Sequence, residues 1–114
     1  MLPKYILNKG VFMEKEMLAM ATFKADKFDK FMGWFQSEEG MSVRKTIAIV
    51  EKTRPGISPD KSYVLFKVNV TDEDKMKEFV SGNNPVAKEI YAECIDNVQL
   101  WNLSKVDMLS LIHI

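Results

Sequence analysis

The sequence predicts an α+β domain in which two βαβ units share one antiparallel, four-stranded sheet with both helices on one face. Three features predict it. Phe28, Phe31, Met32 and Phe35 recur at i, i+3, i+4 and i+7, the apolar stripe of an amphipathic helix. Val64, Phe66, Val68 and Val70 alternate with Tyr63, Leu65, Lys67 and Asn69, the two-residue period of a strand. Around them, apolar runs and acidic-capped segments follow in the order strand, helix, strand, strand, helix, strand, and right-handed crossovers then bring the helices to the same side.

The elements follow in order. Residues 17–25 are apolar on both alternating faces and read as a buried strand. Asp26 is the expected N-cap of the first helix, with Asp29 at the positive end of its dipole and Gly40 as the residue that ends it. Residues 45–53, with Ile47, Ala48, Ile49 and Val50, read as the second strand. Residues 54–60 carry Pro55, Gly56 and Pro59 and read as a turn that leaves the sheet. Residues 62–70 form the third strand. Thr71 is the expected cap of the next helix, whose first turn holds Asp72, Glu73 and Asp74 and whose inner side holds Met76, Phe79 and Val80. Residues 81–85 break it. Asn84 then caps a further helix with Pro85 at its first position, its inner face being Val86, Ala87, Ile90, Tyr91 and Cys94. Asp96 and Asn97 turn the chain into a last strand over 98–104.

Composition narrows the function. Hydrophobic residues are 46% and charged residues 28% of 114, enough apolar material for one small globular core. Sixteen basic and sixteen acidic residues cancel, without long runs of one sign, which argues against a nucleic-acid or polybasic membrane binder. No apolar run approaches the roughly 20 residues of a bilayer span. The single cysteine, Cys94, forms no internal disulfide and no cysteine-based zinc site, and the expected location is cytoplasmic. No dinucleotide, phosphate-loop or nucleophile-elbow motif occurs, and no cofactor is expected.

The domain is expected over 16–107. Residues 1–15 are an extension with a possible short strand around 5–7, and the start methionine is open between Met1, Met13 and Met17. The last six residues read Leu-Ser-Leu-Ile-His-Ile. That is the translation of CTG-TCT-CTT-ATA-CAC-ATC, the transposase mosaic end of tagmentation libraries. The expectation is that 109–114 is sequencing adapter read as protein, against a real apolar C-terminal strand. His113, the sole histidine, falls in it.

The run Phe28-Asp29-Lys30-Phe31-Met32-Gly33-Trp34-Phe35-Gln36-Ser37-Glu38-Glu39, with Met76-Lys77-Glu78-Phe79-Val80, resembles marine and cyanobacterial microbial proteins of the dimeric α/β-barrel superfamily. These are ferredoxin-like domains whose sheets pack into a shared barrel. The resemblance spans roughly 17–106. It implies a homodimer, and it brings in cofactor-free quinol-forming monooxygenases, haem-degrading enzymes, muconolactone isomerase-type enzymes and members without a known reaction, so fold alone assigns no chemistry. The residues point the same way on assembly. Leu18 and Met20 oppose Ala19 and Phe23, Ile47 and Ile49 oppose Ala48 and Val50, and Leu100 opposes Trp101 and Leu103. A sheet apolar on both faces needs a second cover, expected to be another copy of the chain, against the alternative that the N-terminal segment folds over it.

The candidate pocket residues are Trp34, Phe66, Asn83, Asn84, Tyr91 and Trp101: aromatics to hold a flat apolar ligand and amides to bond an oxygen. For each the plainer role is core packing or helix capping. A haem site lacks its axial imidazole before residue 113. Glu89 and Glu93 read as a solvated helix face, Cys94 as inert packing, and Lys52, Arg54 and Lys61 as a cationic rim of the hairpin loop. The expected function is binding of a small, largely apolar metabolite. The alternatives are cofactor-independent monooxygenation or isomerisation of the antibiotic-biosynthesis-monooxygenase type, and a structural or regulatory dimer whose core is closed. A void of about 300 Å³ or more would favour binding.

Overall fold

The computed structural model describes residues 14–103. The expectations for 1–13 and for 104–114, including the early strand, the adapter tail and His113, lie outside these residues. The chain runs β1 (Lys15–Phe23), α1 (Phe28–Phe35), α2 (Glu38–Ile47), a 3₁₀ turn (Val50–Lys52), β2 (Arg54–Ile57), β3 (Tyr63–Val70), α3 (Glu73–Val80), α4 (Lys88–Cys94) and β4 (Ile95–Asn102). The sheet order is β2-β3-β1-β4, with every neighbouring pair antiparallel. Each crossover therefore passes over one strand, as the split βαβ reading requires, and the fold is ferredoxin-like. The helices cover one face, whose sheet side chains are Met17, Ala19 and Ala21 of β1 and Val64, Phe66, Val68 and Val70 of β3, all buried.

The first crossover differs from expectation. Gly40 does not end the first helix. The chain breaks at Gln36 and restarts at Ser37, whose hydroxyl accepts from the Gly40 amide at 3.2 Å. Glu38 and Glu39 then stand in the first turn of α2 and Arg44 and Lys45 in its last, the charge order that suits the helix dipole. Gly40, Val43 and Ile47 are buried at helical spacing, so the β-branched run expected as a strand over 45–53 is helix as far as Ile47. Beyond it, Ala48 bridges Val70 and the Ile49 amide donates to the Asn69 carbonyl at 3.0 Å, without forming a strand of the sheet. The second strand lies instead at Arg54–Ile57, in the segment expected to leave the sheet. Pro55 is tolerated there because β2 is an edge strand, where a missing N–H breaks no ladder on its outer side.

The remaining corrections concern caps. Asp26 adopts a left-handed φ of 64° and does not cap α1; Lys27 precedes the helix with no side-chain cap. Thr71 gives its hydroxyl to the Ile47 carbonyl at 3.1 Å, and Asp72 caps α3 by accepting from the Lys75 amide. Asn84 accepts from the Val86 and Ala87 amides, but α4 begins only at Lys88. Val86 is exposed and not on the inner face. Asp96 and Asn97 form no turn: α4 passes directly into β4 at the buried, extended Ile95.

On the other face of the sheet, Leu18 pairs with Trp101 and Met20 with Leu65, making an apolar centre. Trp101 is 43% exposed and Tyr63 38%. Among the described residues no helix covers this face, and an ion pair between Lys67 and Glu16 at 3.0 Å lies beside the patch.

Candidate ligand cavity

Between the helices and the sheet lies a cavity of about 70 Å³. Its floor is Ala19 and Ala21 of β1, Phe66 and Val68 of β3, and Val98 of β4. The two alanines on the inner face of a central strand are what leave the space: larger side chains would fill it. Phe31 and Phe35 of α1 and Met76 and Phe79 of α3 form the roof, with Arg44, Thr53, Val80 and Tyr91 also on the wall. The wall rings pack in two groups, Phe66 with Phe35 and Phe31, and Phe79 with Tyr91. Phe66 to Phe35 is 5.0 Å between centroids, Phe35 to Phe31 5.8 Å, and Phe79 to Tyr91 6.3 Å. The volume is a fraction of the roughly 300 Å³ of an ordinary ligand pocket. A guest larger than a few atoms therefore needs side chains to move, and the unbranched Met76 is the wall residue best able to do so.

Arg44 is the charged residue in this wall. Its guanidinium carbon lies 3.9 Å from the centre of the Phe35 ring, and Nη1 donates to the Phe35 carbonyl at 3.3 Å. Burial holds its pKa below the usual arginine value. Every ion pair among the described residues uses a lysine, and Arg44 has no carboxylate partner there.

The six expected pocket residues divide. Phe66 and Tyr91 meet in the cavity. The Tyr91 ring faces it while the hydroxyl donates to the Val80 carbonyl, and burial pushes the phenol up to about 12, which leaves it a poor acid near neutral pH. Trp34 packs outside the cavity, 6.3 Å from the Phe79 ring and nearly parallel to it, and its indole N–H donates to Glu39 at 2.7 Å. Asn83 is exposed and donates to the Ser81 hydroxyl. Asn84 is occupied with backbone amides. Trp101 stands on the opposite face of the sheet. Burial pushes the Cys94 thiol up, as for an inert core cysteine.

Arg44 was missed by reading the second strand from residue 45. The signal was present: Gly40, Val43 and Ile47 at helical spacing put Arg44 at the edge of the buried stripe. A second polar group lies at one end of the sheet. Asn69 is buried there and donates to Glu14 at 2.8 Å, and Lys52 pairs with Glu14 at 2.9 Å, which lowers the Glu14 pKa. Among the described residues no cluster of three histidine, cysteine or acidic side chains is arranged for a metal, and no helix is long and apolar enough to cross a membrane.

No family model matches the chain, and no curated protein matches its sequence. Solved structures do share its fold. A protein from Bacteroides thetaiotaomicron VPI-5482 assigned as an antibiotic biosynthesis monooxygenase superposes with a TM-score of 0.55 at 11% identity, over 82% of this chain and 90% of that one. A second antibiotic biosynthesis monooxygenase superposes with a TM-score of 0.56 at 9% identity, over 83% of this chain and all of that one. At these identities the likeness is one of fold: the chain has the ferredoxin-like fold of these proteins.

Proposed function

We propose that this protein is a cytoplasmic homodimer that binds a small, largely apolar metabolite in the cavity between helices and sheet. The observation that carries this reading is the wall of that cavity. Apolar side chains from β1, β3 and β4 line it together with one half-buried guanidinium that lacks a carboxylate partner among the described residues. A core built only for stability gains nothing from taking a guanidinium partly out of water. The dimer is supported by the Leu18–Trp101 and Met20–Leu65 pairs, which leave apolar area at the sheet centre that no helix of the described residues covers.

A second reading is favoured by the fold neighbours: cofactor-independent oxidation or isomerisation of the bound molecule. Native mass spectrometry of the full chain, purified without denaturation, tests the first reading. A dimer carrying one small adduct per subunit, released by acid, is expected. A bare dimer favours a structural or regulatory module, and a monomer removes the dimer. Leu65→Glu, which puts a charge at the patch centre, is expected to yield a folded monomer. Oxygen uptake by the dimer on addition of the released adduct identifies oxidation, conversion of the adduct at constant mass identifies isomerisation, and neither leaves a carrier.

A further inference from the structure

We infer that the molecule held in the cavity is an aromatic or alicyclic carboxylic acid, with its carboxylate on Arg44 and its ring among Phe31, Phe35 and Phe66. The inference rests on the ligand-binding reading above and extends it to a substrate class.

The chemistry of the wall selects such a molecule. The cavity wall is apolar apart from Arg44, Thr53 and Tyr91, whose hydroxyl is already bonded to the Val80 carbonyl, and Arg44 is its charged residue. Arg44 is held rather than free: Phe35 lies against its guanidinium at 3.9 Å, and Nη1 is bound to the Phe35 carbonyl at 3.3 Å and faces the Met41 sulfur at 3.9 Å. Among the described residues, these Nη1 contacts are its hydrogen bonds, which leaves Nη2 and Nε without a protein acceptor. Two adjacent N–H donors of a planar fork suit the two oxygens of a carboxylate, a match that an ammonium does not reproduce. The partly buried position strengthens that bond relative to one in open water. Seven lysines are drawn into surface ion pairs, among them Lys27 and Lys30 to Glu93, Lys15 and Lys77 to Glu73, and Lys52 to Glu14, whereas Lys24, Lys45, Lys75, Lys88 and Arg54 make none among the described residues. Of the cations without an ion pair, Arg44 is the one that lines the apolar cavity, and it is placed at its wall for a charge from outside the chain.

The test uses benzoate and benzamide, matched in shape and differing in charge, titrated into methyl-labelled full-length protein. The signals followed are Ala19, Ala21, Ile47 and Val68. Benzoate is expected to shift them saturably and to bind at least about tenfold more tightly than benzamide, the usual scale of a charge-assisted hydrogen bond. In Arg44→Met that preference is expected to vanish, and in Arg44→Lys to return in part. Equal binding of both probes, unchanged in Arg44→Met, would overturn the carboxylate assignment and leave the cavity reading intact. Absence of any saturable shift with either probe would overturn both. The amide spectrum of each variant reports its fold independently.

Discussion

The guanidinium carbon of Arg44 stands 3.9 Å from the centre of the Phe35 ring, across the break that separates α1 from α2. The contact joins two helices of one crossover and fixes where the charge meets the cavity. A cation–π contact returns roughly 0.5–1 kcal/mol at a partly exposed site. Desolvation of a charge lacking a counter-ion opposes it. Arg44→Met, similar in length and apolar, is therefore expected to change stability by no more than about 1 kcal/mol in either direction, read by urea denaturation. A loss well beyond that would make the arginine a structural residue and remove its claim to a ligand.

Gly40 is required by the same break. A Cβ added there would lie 2.1 Å from the Trp34 carbonyl oxygen and 2.8 Å from that of Phe35. Both obstacles are backbone and cannot rotate away. Gly40→Ala is expected to cost about 2–3 kcal/mol, in the range of overpacked cores. Gly33→Ala, with open space around it, is the control and should be near neutral or slightly stabilising. Equal effects at the two positions would mean that α2 does not start against the end of α1.

Tyr91 ties α4 to α3 through the Val80 carbonyl, and burial raises its phenol from 10 to about 12. Between these values the unfolded chain has lost the proton and the folded chain keeps it. Stability from this group is therefore present below pH 10 and is lost as pH rises toward 12. The difference in phenolate absorbance between wild type and Tyr91→Phe is expected to titrate near 12, and Tyr91→Phe is expected to lose less stability between pH 10 and 11. A difference titration centred at 10 would show the ring to be solvated.

Glu93 behaves in the opposite sense. Lys30 at 2.6 Å and Lys27 at 3.0 Å hold its carboxyl down to about 2, and so link α4 to α1. The stabilisation is present above the ordinary value of 4.5 and is lost as pH falls toward 2. Glu93→Gln is expected to flatten the acid limb of stability over that window and to lower neutral stability by the same amount, which is modest for so exposed a pair. An unaltered acid limb would contradict the pairing.

The strand period of 63–70 and the helical stripe of Phe28, Phe31 and Phe35 were legible because periodicity records which side faces the core. They carried the fold class and the cavity residue Phe66, while Tyr91 came from the apolar spacing of the later helix. What the sequence hid was the first crossover. Ile47, Ala48, Ile49 and Val50 have strand propensity, but the Ser37 cap and the burial of Gly40, Val43 and Ile47 prevail over it. Pro55 and Gly56 argue for a turn in a central strand yet are harmless on an edge, and a local pattern does not say which strand will be the edge. Arg44 was lost with the crossover. Trp34 and Trp101 drew notice as large aromatics, but which side of a helix layer or sheet each occupies is decided by pairing register, as Leu18 opposite Trp101 illustrates.

The most direct measurement is diffraction from a crystal of the protein pressurised with xenon, an atom small enough for an apolar cavity of this size. The prediction is one ordered xenon site per subunit in contact with Ala19, Ala21 and Phe66, with Arg44 at its edge. Crystals with no xenon there, and with Met76 or Phe79 filling the space, would contradict a ligand cavity and leave a closed core.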